Sequence, residues 1–518
     1  MKKLTYFAAL AGSLLFATSC VDLDQEPQSF ITEEDYIAKM DQAALENAVS
    51  ALYNDLWYGN YGFNCRIQRI QVCADEITYR AAKAGNALAY YEELRPNITA
   101  LNDDYAQTWE GFYSTINNAN KLINKTVMPE EAAAADEYKR VLGEAYFLRA
   151  LSYFYLVRMY GDVPLIMQET DASNNMPRTS VEEIYSTAII PSLQRAIEWL
   201  PEEPRNSGST PTKWAAETCL ADVYITMAGW PLNKGQEYYE LAASAAKDVL
   251  DNNQYHQQEV NYEDLWKESN KTSTEFMFCL FHSQANKVMP SNYGKSYYPA
   301  DYYNNETKTV RNGWADYYAR KEAFLNYPDD KRKDWNFMTE WYSTSNQVGT
   351  DENNKPIYGI VQWQNSPDGL PCISKYYDYD QGQAGQNAQA NGVTSIYRLA
   401  DTKLLYAEAS TRASGTVNGQ AIQAVRELQE RAGYSERGIA EVPDNVSAEE
   451  FLNIVSNERS YEFYAEMRRW FELVRLEMVD DKRPESWDGS LFKANNHYYF
   501  PIPYNQIMLT GWTNNPGY

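Results

Sequence analysis

Three histidines serve the whole 518-residue chain, at 256, 282 and 497. Six cysteines are present, and no two share a C-x-x-C spacing. That poverty argues against structural zinc and thioredoxin-like redox chemistry, which need clustered thiolate and imidazole donors. Basic residues are also short. Lys plus Arg total 46 against 71 Asp plus Glu, a formal charge of −25. A nucleic-acid binder needs a basic face to displace counterions from phosphate, and adsorption to anionic lipid needs a polybasic surface, so both classes are excluded. No apolar run approaches the ~20 residues of a membrane-spanning helix. What the chain has in excess is aromatic: 43 Tyr, 13 Trp and 17 Phe make 14% of it. The hydrophobic fraction of 44% and charged fraction of 23% are those of a globular protein. The length suits two or three ordinary domains or one large helical array.

The N-terminus sets the compartment. MKKLTYFAALAGSLLFATSC pairs a positive start, Lys2 and Lys3, with a short apolar stretch and small residues before Cys20. This is a secretory signal peptide over 1–19, and Cys20 after small residues resembles a bacterial lipobox. In that reading Cys20 carries diacylglycerol and an acylated amine, a multi-chain anchor of ~0.8 kcal/mol per buried CH₂. The acidic stretch Val21-Asp22-Leu23-Asp24-Gln25-Glu26 resembles the export tag of surface-exposed Gram-negative lipoproteins. Of the remaining cysteines, Cys65 and Cys73 are near enough in sequence to bridge, but buried thiols are the preferred reading.

After a tether over 20–39, residues 40–251 read as helices at 40–58, 106–125, 133–160, 181–200, 212–229 and 236–251. In GEAYFLRALSYFYLVRMYG (143–161), Phe147, Leu151 and Phe154 keep a 3–4 spacing, Ala145, Ala150 and Ser152 allow a close neighbour, and Gly161 and Pro164 end the helix. Ser180 begins a capping box with Glu183, and Thr212 opens the next helix. Residues 252–395 are rich in Asn, Tyr, Gly, Pro and Ser, with short strands expected at Glu275–His282 and Ile357–Gln362; a loop-rich insertion of this size is usually functional. Helices return at 396–414, 417–432 and, behind a Ser447–Glu450 capping box, 447–479, followed by an extended tail to 518. The pattern predicts a mostly α fold, antiparallel tetratricopeptide-like helix pairs with a large irregular insertion and few short strands. A generic helical bundle is the alternative on pattern alone.

Six segments in order carry a resemblance: GEAYFLRALSYFYLVRMYGDVPLI (143–166), RTSVEEIY (178–185), YRLADTKLLYAEAS (397–410), AVRELQERAGY (424–434), NERSYEFYAEMRRWFELVR (457–475) and FPIPYNQIMLTGWTNNPGY (500–518). Behind a lipobox, they resemble the SusD/RagB family of outer-membrane nutrient-uptake lipoproteins across essentially the whole mature chain. Met467 departs from the Gly, and Glu472 from the Asp, common at those places in the family, and neither alters the expected helix. The resemblance implies an outer-membrane, lipid-anchored protein facing the cell exterior. It would bind oligosaccharides without cleaving them and deliver them to a partner SusC-like TonB-dependent β-barrel transporter.

The charged words of the last helix, Glu458 to Arg475, read as scaffold, with pairs such as Arg468–Glu472 on one face; Glu144 and Arg149 are read likewise. Sugar recognition needs aromatic faces for C–H surfaces and short polar groups for hydroxyls. The insertion supplies both, and the candidates are Trp314, Trp335, Trp341, Tyr298, Tyr302, Tyr317 and Asn312. The earlier stretch 75–92 adds Asp75, Tyr79 and Arg80. Trp314, Trp335 and Tyr79 are the expected stacking platforms. No catalytic residue or cofactor is expected. The oxygen-rich Asp351-Glu352-Asn353-Asn354 is a possible structural calcium loop without an EF-hand pattern, and a solvated loop is the preferred reading. Two alternatives remain: the same scaffold binding peptides, or a surface glycoside hydrolase with two carboxylates across a cleft.

Overall fold

The computed structural model describes residues 31–56, 68–80, 103–168, 176–282, 296–310, 314–377, 391–482, 498–516 and 518. The signal peptide, Cys20, Cys65 and Asn312 lie outside the described residues.

The helices that frame the fold and the site are α1 (Gln42–Asp55), α2 (Asp103–Lys125), α3 (Ala132–Tyr160), α4 (Ile190–Trp199), α5 (Lys213–Ala228) and α6 (Gln236–Asn252), then α7 (Lys331–Asn336), α8 (Leu399–Ser414), α9 (Gly419–Arg431), α10 (Ala448–Glu462) and α11 (Arg469–Arg475), with several shorter ones besides. Each of α2 to α6 packs on its sequence neighbour, and α6 then packs on α8, so residues 253–398 leave the helical array and return to it. Small residues permit the close crossings: Ala145, Ala150 and Ser152 of α3, Ala221 of α5, Ala242 and Ala246 of α6, and Ala407 of α8 are fully buried.

The cap signals act as read. Ser180, Thr212 and Ser447 accept hydrogen bonds from the backbone amides of Glu183, Ala215 and Glu450. Gly161 ends α3 at φ 72°, a conformation that glycine adopts without steric cost. Residues 33–38 of the expected tether form a short helix, Glu33–Ala38, tied to α2 by Lys121–Glu33 and Lys125–Glu34 ion pairs.

Two helix expectations need correction. The one expected at 396 begins at Leu399, because Gly392–Arg398 (β8) is a strand pairing antiparallel with Phe276–His282 (β2). The helix expected over 447–479 is broken after Glu462 and resumes as α11. Ala465 and Met467 take φ of 61° and 63° between them, and the turn sends Glu466 inward to receive Lys375 and Arg398. Met467 thus occupies a left-handed position where glycine would be unstrained. The charged residues are scaffold, as expected, but Arg468 pairs with Asp401, while Glu472 pairs with Arg469 and Arg459.

The insertion is held to the helices by a buried charge cluster. Arg332, Arg398, Arg431 and Lys375 meet Asp330, Glu275, Glu458, Glu462 and Glu466, all nearly inaccessible. Glu462 accepts from Arg332, Arg398 and Arg431 together. Burial alone would raise its pKa, but these guanidiniums hold its carboxyl well below the usual range.

Candidate functional site

The site is assembled from one short, rigid run. Asp330 caps α7, accepting from the amides of Arg332 and Lys333 at 2.8 and 3.1 Å. Arg332 then anchors α7 to α10, reaching Glu458 at 2.5 Å and Glu462 at 3.1 Å. Trp335 lies in the last turn. The chain passes directly into Phe337–Met338 (β4) and Glu340–Thr350 (β5), which carries Trp341 and Tyr342 and pairs with Pro356–Gln362 (β6). Cys372–Ile373 (β7) pairs with β4 and brings Ser374 and Tyr377 opposite.

These elements enclose a cleft of about 430 Å³, a size within the range of small-molecule sites. Its aromatic walls are Tyr302, Trp335, Phe337, Trp341, Tyr342 and Tyr377, and its polar rim is Asp334, Thr339, Glu340 and Ser374. The rings are locked through their polar handles. Trp335 Nε1 donates to the Lys375 carbonyl at 3.0 Å, and Trp341 Nε1 donates to Asp301 Oδ1 at 3.0 Å. Ser343 and Ser345 also donate to Asp301. Tyr302 and Tyr377 share a hydroxyl–hydroxyl contact of 3.2 Å, and Tyr298 donates to the Tyr377 carbonyl at 2.9 Å. Flat apolar faces beside hydroxyls suit a ligand with C–H faces and hydroxyl edges.

Of the sequence candidates, the cleft collects Trp335, Trp341 and Tyr302. Trp341 is only 4% exposed and serves as floor, whereas Trp335 is half-buried. Tyr298 is 2% exposed and supports the wall from behind. The other described candidates are placed elsewhere. Tyr79 and Tyr317 face each other in the register of Ile77–Tyr79 (β1) with Tyr317–Ala319 (β3), and Tyr317 is 2% exposed in the main core. Trp314 is half-buried and is not among the described lining residues. Asp75 is gripped by Arg469 at 2.9 and 3.0 Å; burial pushes its carboxyl up, but the guanidinium outweighs this and leaves it lowered. Arg80 is spent on Asp368 at 3.1 Å, which Tyr318 also donates to at 2.8 Å. Both charges are therefore joined to scaffold partners.

Sequence reasoning counts Tyr342 within the aromatic mixture of the insertion but does not single out Tyr377 or Phe337. Phe337 lies two residues after Trp335 in the chain, so proximity was the available signal. Tyr377 comes from Lys375-Tyr376-Tyr377, beyond the aromatic-rich stretch, and only the β4–β7 pairing brings it in. Asp351 of the oxygen-rich loop accepts from the amides of Asn353 and Lys355, closing the β5–β6 turn.

Two family models match in tandem. Residues 23–225 match one described as "Starch-binding associating with outer membrane", and residues 259–518 match the SusD family. The chain belongs to the SusD/RagB family. It is 26% identical to SusD-like protein P2 of Formosa agariphila over 98% of both chains. A SusD superfamily protein from Parabacteroides distasonis shares the fold at TM-score 0.75 and 23% identity, over 92% of this chain and 98% of that one. Surface glycan-binding protein A from Bacteroides thetaiotaomicron, solved in complex with laminarihexaose, superposes at TM-score 0.70 and 19% identity, over 92% of this chain and 100% of that one.

Proposed function

We propose that this chain is a cell-surface lipoprotein of the outer membrane, anchored through Cys20, that captures oligosaccharides and delivers them to a partner TonB-dependent SusC-like transporter without cleaving them. The observation that carries the reading is the cleft, where half-buried Trp335 and the tyrosine hydroxyls of 302 and 377 stand over a floor of Trp341. A sugar ring can lay its C–H face on the indole and present its hydroxyls to the rim, with no metal or cofactor required. Family membership and the laminarihexaose complex of the B. thetaiotaomicron protein support a glycan as the cargo. The lipid anchor keeps the binder at high effective concentration near its transporter. Among the described residues no helix is long and apolar enough to cross a membrane.

Two carboxylates, Asp334 and Glu340, do line the cleft, so hydrolysis is tested alongside binding. The purified lipoprotein is titrated against a panel of polysaccharides and oligosaccharides, and the mixtures are assayed for new reducing ends. Saturable binding with no new reducing ends is expected. Turnover abolished by Glu340→Gln would replace the binder with a hydrolase, and absence of binding to every glycan would end the reading. Cys20→Ala should release the protein from the outer membrane and abolish growth on the bound glycan.

A further inference from the structure

The cleft has a charge character that goes beyond glycan binding, and it rests on the reading above. The two described lining residues that carry a charge at neutral pH are both acidic, Asp334 and Glu340. Asp334 is paired with Arg437. Glu340 is exposed, receives a hydrogen bond from Gln362, and is paired with no cation among the described residues.

Three cations close in sequence to the lining residues, Lys375, Lys333 and Arg332, are committed elsewhere. Lys375 lies behind the wall, buried on Glu466 and the Tyr464 carbonyl. Lys333 donates to the Tyr327 carbonyl over the Phe324 ring, and Arg332 is enclosed by carboxylates. The aromatic walls add to this, because a π face carries the negative end of its quadrupole. The whole chain, at −25, repels anions at longer range.

We infer that this site selects neutral oligosaccharides and discriminates against uronic-acid-bearing and sulfated glycans, with Glu340 as the discriminating residue. An acidic sugar entering the cleft meets an unpaired carboxylate and gains no counter-charge from the described wall. A neutral sugar loses nothing, and its hydroxyls can donate to the same carboxylate. One uncompensated like charge at contact range near a protein surface is worth about a tenfold difference in affinity.

The test uses the purified lipoprotein on a glycan array holding neutral, uronic-acid-bearing and sulfated oligosaccharides. The best neutral binder and its C6-oxidised counterpart are then compared by titration at low and high salt. The oxidised form should bind about tenfold more weakly at low salt. The gap should shrink at 1 M salt and narrow in Glu340→Gln. Acidic glycans binding as tightly as neutral ones would overturn the inference while leaving the glycan-binding reading intact. A gap that Glu340→Gln leaves unchanged would remove Glu340 from the role. Binding of no glycan of any class would instead strike the underlying function.

Discussion

The indole N–H of Trp335 donates to the carbonyl oxygen of Lys375 at 3.0 Å. The far end of Lys375 is an ammonium buried against Glu466 at 2.7 Å, within the charge cluster that joins the insertion to α10 and α11. Burial, only partly offset by Glu466, brings this ammonium down to about 8. The half-buried aromatic face of the cleft is therefore oriented by a residue whose own side chain belongs to the scaffold. A binding surface on loops gains rigidity this way, and rigidity reduces the entropy lost on binding.

The first prediction concerns that face. Trp335→Ala should weaken glycan binding roughly 10- to 100-fold, as truncation of a buried aromatic anchor commonly does. Trp314→Ala should have a much smaller effect, because Trp314 is not among the described lining residues. Isothermal titration of the two variants beside the parent separates them. Equal losses would move the site toward Trp314.

Arg332 is enclosed by Asp330, Glu458 and Glu462. Replacing it with Met leaves buried carboxylates without their counter-charge, which should destabilise the fold by about 3–5 kcal/mol. The loss is read from urea unfolding midpoints. Because Arg332 shares α7 with Trp335, affinity should fall as well. Adding Glu458→Gln should recover part of the stability, as expected for directly coupled residues.

His256 supplies a pH dependence. It is held neutral between the Thr212 hydroxyl at Nε2 and the Thr274 carbonyl at Nδ1, each at 2.8 Å. Burial carries its pKa from 6.5 down to about 4. Above pH 6.5 both folded and unfolded chains keep it neutral, so its contribution is fully present. Between 6.5 and about 4 the unfolded chain takes up a proton that the folded chain excludes, and stability falls with pH by up to ~3 kcal/mol. Glu76 and Glu217, pushed up to about 8, act in the opposite sense over their own range. Melting temperature against pH for His256→Gln and the parent cancels them, and the variant should show the shallower acid slope between 6.5 and 4.5.

Gly229 marks the tightest backbone approach. A Cβ there would stand 2.2 Å from the carbonyl oxygen of Arg475, the same oxygen that accepts from the Trp230 amide at 3.0 Å. Gly229→Ala should cost ~3 kcal/mol or more, because the obstacle is backbone and cannot rotate away. Gly419→Ala meets nothing within 4 Å at the start of α9 and should be neutral or stabilising by up to ~1 kcal/mol. Calorimetric melting of the pair reads the contrast.

The helices were legible because their information is local. Phe147, Leu151 and Phe154 recur at helical spacing, and Ser180, Thr212 and Ser447 cap within four residues of themselves. The break after Glu462 was not legible. Its cause is the pull of Lys375 and Arg398 on Glu466 from 91 and 68 residues away, which forces Ala465 and Met467 into left-handed conformations against a helical pattern. Candidate site residues divided on the same ground. Trp335, Trp341 and Tyr302 belong to the cleft, while Tyr79, Tyr317 and Asp75 have equally suitable chemistry but are committed to a strand pair, the core and Arg469.

By itself the sequence determined the helical scaffold, the acidic net charge and the family, since composition is additive and periodicity, caps and short words act over a few residues. Only the tertiary structure decided which aromatics work. An indole looks the same in the sequence whether it walls a cleft or fills a core. The difference is made by the β4–β7 pairing and the buried charges that carry Trp335 and Tyr377 to one place, and these contacts have no local signature.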